Sequence, residues 1–502
     1  MLQLKQILHS RSNVKNIIVL GGGTAGLISA ITIKQAYPNY SVKVIESDSI
    51  GIIGVGEGST EHWRRWSEFC KIDIREIIRE TDGALKKGIK FENWNGDGKS
   101  YFHSLGDHWY PYNEPVNTAP FLKTLIVEDI KTEDVLLDTS LVNYGGGLFT
   151  VNQYHFNTFK LNAYLHKLCG ERNIDVVTST IKDVVLSDNG DVDYLVGEDD
   201  SKYHADLFVD SSGFKRIIAT KVGAKWVSYK KYLPMNHALA FPTDDISDLK
   251  PYTLSRALSS GWNWRISTQG RYGNGYVFDD NFIDATKAHD EIQSFYTEEV
   301  KVAKDIKFEA GRVDKFWINN CVSVGLSASF VEPLEASSIG NSILQAFGLC
   351  DMLEGWYLDR SIAEDYNKKF TACFDNIVDF VQLHYMTKRN DTEFWKSLPE
   401  RMVKTDFIEA NLELFKKSLP QMYKFGEMYT MFSAPNWAQV MAGLDLYDKD
   451  FLRDRLIQTH GNVKDAQLKI YEDYLLDTQK QSYIDHKVLL EQNKLVVKFD
   501  RK

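Results

Sequence analysis

Gly21, Gly23 and Gly26 lie within Ile17-Ile18-Val19-Leu20-Gly21-Gly22-Gly23-Thr24-Ala25-Gly26-Leu27, a GxGxxG pattern between an apolar strand and an apolar helix start. The chemistry this spacing allows is phosphate binding. Gly21 permits a tight turn, Gly23 lets backbone approach a pyrophosphate, and Gly26 lets the following helix pack on the strand. The amides opening that helix, at Thr24 and Ala25, then face the anion. A second strand, Ser41 to Ile45, ends at Glu46, about 20 residues past the last glycine, where a carboxylate accepts from ribose hydroxyls. Alone, GxGxxG is equally an ordinary helix-packing turn. Strand, turn, helix, strand and acid in this order predict a dinucleotide cradle.

The elements that must hold this cradle read as a doubly wound α/β domain beginning with the alternation from Asn16 to Glu46. A further strand pair is predicted at Ile174 to Val177 and Asp191 to Gly197, with Ser187-Asp188-Asn189-Gly190 as its turn signal. Two more strands, Ala205 to Gly213 and Cys321 to Ser327, end in small residues that can bring backbone to a cofactor across the sheet edge. The nucleotide domain is therefore expected to be discontinuous, interrupted near 84 to 150 and near 220 to 310. Beyond Gly340 the apolar positions Ile343, Leu344, Phe347, Leu349, Leu353 and Trp356 follow helical periodicity. Pro399, Pro420 and Pro435 punctuate that helical tail, and the charged end after 477 reads as a solvated helix or strand without chemistry.

A chain of 502 residues supports a large core or several domains, and 43% hydrophobic with 25% charged residues is ordinary for a globular protein. A net charge of −10 argues against a nucleic-acid surface. With no apolar run long enough for a bilayer and no secretory signal at the start, the expectation is a cytoplasmic protein without a membrane partner. Homo-oligomerisation is left open. Cys70, Cys169, Cys321, Cys350 and Cys373 are scattered without a CxxC pair, which predicts buried thiols and no metal site. Eleven tryptophans and 13% aromatic residues suit a site for a flat cofactor and an aromatic substrate.

Gly261-Trp262-Asn263-Trp264-Arg265-Ile266-Ser267 resembles the WxWxIP signature of flavin-dependent halogenases of the tryptophan halogenase type, with Ser267 in place of proline. Taken alone, Trp-x-Trp is also two core residues on one face of a strand. Other segments resemble the same family in the same order. Gly54-Val55-Gly56-Glu57-Gly58-Ser59 is similar to its GxGExT stretch, and Gly83 to Trp94 to the segment carrying its essential lysine, which falls on Lys86. Phe330 to Ser338 resembles the segment of its catalytic glutamate, which falls on Glu335. Phe374-Asp375, Asp379 to Gln382, His384-Tyr385, Asp391-Thr392 and Phe394-Trp395 match its helical region. The resemblance runs from about residue 15 to about 450.

The resemblance implies FAD, used as FADH2, with Gly325, Leu326 and Ile339 joining the cradle residues as flavin contacts. Halide is the co-substrate, oxidised with oxygen to hypohalous acid, and Ser337 and Ser338 stand at the implied halide site. Trp262 and Trp264 are implied as a wall that keeps the organic substrate from the flavin. Lys86 is implied to carry the oxidant, as an ammonium hydrogen bond donor or as a haloamine, with Lys87 and Lys90 as neighbouring decoys. Glu335 orients the oxidant or takes the ring proton, with Glu332 as its decoy, read as a capping or scaffold carboxylate. Ser338 replaces a usual glycine; if that position needs positive φ, serine costs about 1 kcal/mol and reshapes the halide pocket. Relaxed halide choice among chloride, bromide and iodide follows as an expectation.

His103, Leu105 and Trp437 fall at implied substrate contacts. Leu105 replaces an aromatic stacking residue, and Phe432 to Trp437 lacks the family's tyrosine pair, so a broader pocket for electron-rich aromatics is expected. The implied organisation is FAD-binding segments 1–83, 151–235 and 311–350, a lysine-bearing insertion 84–150, a sheet region with the tryptophan motif 236–310, and a helical substrate region 351–502. No second GxGxxG serves NAD(P)H, so a separate NAD(P)H-dependent flavin reductase is expected. The competing readings are a flavin monooxygenase that hydroxylates an aromatic and a non-catalytic flavin-binding module.

Overall fold

The strand Asn16–Leu20 is an apolar run with four of its five residues buried, as a strand covered on both faces must be. In the computed structural model it sits inside a six-stranded sheet, between Ser41–Glu46 and Leu207–Asp210, both parallel to it. The order continues outward to Asp175–Thr178 on one side and to Cys321–Ser323 and Trp317–Ile318 on the other. The structure describes residues 15–48, 57–104, 120–130, 141–143, 152–244, 248–426, 430–480, 482–493 and 495, and its sheets hold the stated numbers of strands among these residues. The helix Thr24–Ala36 buries Gly26 through Ile33 and packs against the long helix Ser337–Leu358.

The predicted pairing of Ile174 to Val177 with Asp191 to Gly197 is not what forms. Asp175–Thr178 extends the central sheet beside Ser41–Glu46, while Val192–Gly197 pairs with Ile181–Leu186 across the Ser187 to Gly190 turn. The turn signal was correctly placed, but the apolar run immediately before it, from Ile181, is its true partner. Close proximity in sequence decides the hairpin.

Two of the other sheets are built by segments between the strands of this one. A seven-stranded sheet contains Gly261–Thr268 between Thr253–Ala257 and Arg271–Phe278, both antiparallel to it, and includes Gly88–Glu92 and Ser100–Ser104 at one end. A small sheet places Gln153–Phe156 between Glu57–Gly58 and Ala84–Lys86, with Gly58 and Ala84 both opposite His155. From Ser337 onward the chain is mainly helical, including Ile362–His384 and Ala434–Gly443.

The end after 477 departs from the expected solvated element. Tyr483–Asp485 pairs with Leu141–Asn143, and His486, Leu489, Leu490 and Leu495 are buried. Its charged residues had masked an apolar face. The five cysteines are free thiols, buried except for the half-buried Cys350. Among the described residues no helix is long and apolar enough to cross a membrane.

Candidate active site

The glycine turn shows why its residues are small. Gly21 has φ +121°, and a Cβ there would stand 2.2 Å from the Ser211 carbonyl oxygen. A Cβ at Gly26 would stand 2.0 Å from the Gly21 oxygen, whereas one at Gly23 would meet nothing within 4 Å, so backbone is open to a ligand there. Thr24 and Ala25 open the helix, which has no side-chain cap and no acid in its first turn, leaving its amides for an anion. Glu46 ends its strand beside the turn and accepts from His166 Nε2 at 2.9 Å. Gly325, at φ +60°, approaches the same turn, since its Cβ would lie 2.5 Å from that of Ala25. These groups fit the pyrophosphate and ribose of a dinucleotide. Glu57 lies in the small sheet next to Gly58, while Gly54, Val55 and Gly56 fall outside the described residues.

Beyond the cradle lies a cavity of about 180 Å³, lined mostly by apolar atoms, whose walls include Gly58, Trp264, Ile266, Leu326, Ser338 and Ile339. Four separate sequence segments therefore meet at one apolar chamber suited to a planar ring. Trp264 lines it directly. Trp262, two residues earlier on the same strand face, is buried with its ring 6.1 Å from that of Trp264 and its Nε1 donating to Glu332. Glu332 also accepts from Tyr385 at 2.8 Å, so this carboxyl ties the tryptophan strand to the helix Ile362–His384.

Burial pushes the Glu332 carboxyl up to about 7, against the lowering effect of Trp262 and Tyr385. A folded-state value above the unfolded one means that this group opposes folding increasingly as pH rises from about 4.5 to about 7. Glu332→Gln is accordingly expected to gain stability relative to the parent at pH 8 compared with pH 4, by up to about 3 kcal/mol, read from denaturant midpoints at both pH values. An unchanged difference would refute the burial argument.

Lys86 is 1% exposed and Glu335 2%, far apart in the sequence yet in mutual electrostatic reach. The Lys86 ammonium donates to the Ser59 carbonyl at 2.9 Å. A Cβ on the cavity-lining Gly58 would stand 3.4 Å from Lys86 Nζ, so the lysine lies directly behind the cavity wall where the side chain is missing. Burial lowers the ammonium to about 8, opposed by the charges of Glu335 and Glu61. That value suits a group exchanging protons near neutral pH. His155, beside it on the neighbouring strand, is held neutral, well below the usual histidine range, by burial and by Lys86.

Glu335 is gripped by two imidazoles. His103 Nδ1 lies 2.9 Å from Oε2, and His384 Nε2 lies 2.9 Å from Oε1. Burial alone would raise this carboxyl, but the two histidines hold it below the usual carboxylate range. Asn436 fixes the tautomer of His103. Its Oδ1 accepts from the Ser433 amide at 2.8 Å, which leaves its Nδ2 facing His103 Nε2 at 3.1 Å. His103 Nε2 must then accept, and Nδ1 carries the proton donated to Glu335. His384 Nδ1 donates to the Phe380 carbonyl at 2.9 Å, so its two nitrogens face two acceptors.

Ser337 and Ser338 open the helix Ser337–Leu358, and Ser338 lines both the large cavity and a small neighbouring one. The strain conditionally expected at Ser338 is absent: it is helical, and the positive φ, +53°, belongs to Ala336. Trp437 is fully buried among Phe407, Phe415 and Phe425, while its neighbour Asn436 reaches His103. Leu105 falls outside the described residues. Sequence reasoning had matched His384 without giving it a role, and had passed over Asn436, His155 and His486. A capping pattern, Ser433 with Asn436 three residues on, was the available signal for Asn436.

A model of the tryptophan halogenase family matches residues 16–455. The tryptophan 6-halogenase SttH of Streptomyces toxytricini is 28% identical over 452 residues, covering 81% of this chain and 85% of that one. The tryptophan 7-halogenase RebH of Lentzea aerocolonigenes is 26% identical over 521 residues, covering 91% and 96%. Among solved structures, Tar14, a tryptophan C-6 flavin-dependent halogenase from taromycin biosynthesis, superposes with a TM-score of 0.84 at 25% identity, covering 96% of this chain and 99% of that one.

Proposed function

The chain belongs to the tryptophan halogenase family and is a flavin-dependent halogenase, and from this premise we propose that Lys86 delivers the oxidised halogen to an electron-rich aromatic. FAD would be held by Gly21, Gly23, Thr24, Ala25, Gly26 and Glu46, with Gly325, Leu326, Ile339 and Trp264 about its ring. When bound, reduced and exposed to oxygen, FAD would supply the oxidising equivalents that convert halide to hypohalous acid. A separate NAD(P)H-dependent reductase supplies FADH2 in a cytoplasmic setting. The hydroxylase reading has no support in the family match.

The observation that carries this reading is the buried Lys86 ammonium behind the side-chain-free Gly58 of the cavity wall. Small hypohalous acid can pass where an aromatic cannot, with Trp262 and Trp264 blocking the larger molecule. The Lys86 ammonium donates to the oxygen of hypohalous acid and makes its halogen electrophilic. The ring carbon takes the halogen as the halogen–oxygen bond breaks, and the departing oxygen leaves as water with the lysine proton. The ring proton passes to Glu335, which can accept it despite its low value because a cationic ring intermediate is a far stronger acid than a carboxylic acid. Return of that proton to the lysine restores the site.

The relatives' names give tryptophan as their substrate, and here the segment Phe432 to Trp437 lacks a tyrosine pair. We assign a broader set of indoles and phenols. Purified protein with FAD, a generic reductase, NADH and each halide, assayed against an aromatic library by mass analysis, tests this. Halogen in place of hydrogen is expected, and oxygen insertion without halide dependence would refute it. We assign halide to Ser337 and Ser338, a reading supported by the helix-start amides beside an apolar cavity. Because larger anions lose less hydration on entering such a cavity, equimolar bromide and chloride are expected to give at least as much brominated as chlorinated product. Strict chloride preference would remove that assignment.

A further inference from the structure

Ala84–Lys86 is a three-residue strand whose only ladder partner among the described residues is Gln153–Phe156, so one edge faces away from the small sheet. Such an edge leaves backbone amides that must be satisfied from elsewhere. The C-terminal segment does this. His486, fully buried, accepts from the Leu85 amide through Nε2 at 3.1 Å and donates from Nδ1 to the Leu249 carbonyl at 3.1 Å. Gln269 Nε2 bridges the Gly83 carbonyl at 2.7 Å and the Leu495 carbonyl at 3.0 Å. On the other side, the Lys87 amide donates to Pro251 at 2.7 Å and its ammonium to Leu141 at 3.0 Å, on the strand that pairs with Tyr483–Asp485. The main chain before, beside and after Lys86 is thus tied to the last segment of the chain or to what that segment holds.

We propose that Tyr483–Asp485, the helix His486–Gln492 and Leu495 form a strap that positions Lys86, with His486 as its positioning residue. This rests on the reading of Lys86 as the carrier of oxidised halogen. The bonds to Leu85 and Leu249 require one acceptor and one donor nitrogen, hence a neutral ring, and burial keeps it so, lowering His486 to about 4. Loss of the acceptor leaves the Leu85 amide unpaired in the core and frees the lysine backbone to shift, and displacement of about 1 Å at a reacting group costs about 10²-fold in rate.

The test compares full-length His486→Phe, His486→Gln and Lys86→Met with the parent, measuring FAD affinity by flavin fluorescence, halogenated product, and oxidising equivalents caught by a soluble scavenger. His486→Phe is expected to bind FAD and oxidise halide as the parent does, yet lose about 10²-fold in halogenated product, with the missing equivalents in solution. His486→Gln, which offers both an acceptor and a donor, is expected to restore most of the yield. Parent-level product from His486→Phe, no rescue by glutamine, or loss of FAD binding would each overturn the strap's positioning role. If Lys86→Met still halogenates, the lysine reading itself falls; if it is inactive while His486→Phe is not, the strap alone falls.

Discussion

Replacing Lys86 by methionine, which keeps the length and removes the ammonium, is expected to lower aromatic halogenation by about 10³-fold or more while halide oxidation continues. The effect is large because three contributions vanish together: the donor that polarises hypohalous acid, the fixed position of the halogen, and the proton that the leaving oxygen takes. The fold should survive, since removing a buried ammonium also removes its desolvation cost. In the parent, the same mechanism requires the ammonium form. With Lys86 lowered to about 8, halogenation from pre-reduced flavin is expected to fall as pH rises through that value. A rate that instead rises there would indicate the neutral amine, and hence a haloamine, as the working form.

Glu335→Gln is expected to lower turnover by about 10²-fold with FAD binding intact, measured by single-turnover product formation. The amide keeps one oxygen for the His103 Nδ1 proton but turns an NH2 group toward His384, where an acceptor now sits. More important, it cannot take the ring proton, and it removes the negative charge that stabilises a cationic ring intermediate. Substrates deuterated at the halogenated carbon should then show an isotope effect larger in the variant than in the parent, because proton loss becomes slow. A variant with parent turnover and no isotope effect would assign Glu335 to scaffold, a part the structure already gives to Glu332.

How much of this was legible in the sequence depended on the range over which each interaction acts. The cradle was, because Gly21, Gly23, Gly26 and Glu46 declare themselves through local turn geometry and a short strand–helix–strand unit. The hairpin was half legible: its turn stood out, but Ile181–Leu186 was overlooked in favour of the more distant strand Asp175–Thr178. Lys86 and Glu335 could be singled out only by resemblance, since nothing near either residue distinguishes it from Lys87 or Glu332. Their setting is made by partners far along the chain. His103 meets Glu335 across 232 residues, and His486 meets Leu85 across 401. Trp437, which the resemblance implies at the substrate, is packed in an aromatic core, one position from the Asn436 that reaches His103.

Relaying through a lysine makes a claim about where oxidising equivalents go, and counting them is the most direct measurement. For each FADH2 consumed with saturating halide and aromatic, halogenated product and scavenger-trapped oxidant are quantified together in the parent and in Lys86→Met. The parent is expected to place most equivalents on the aromatic, and the variant to release nearly all of them to the scavenger at an unchanged rate of flavin consumption. Halogenated product from the variant in the parent's proportion would contradict the account.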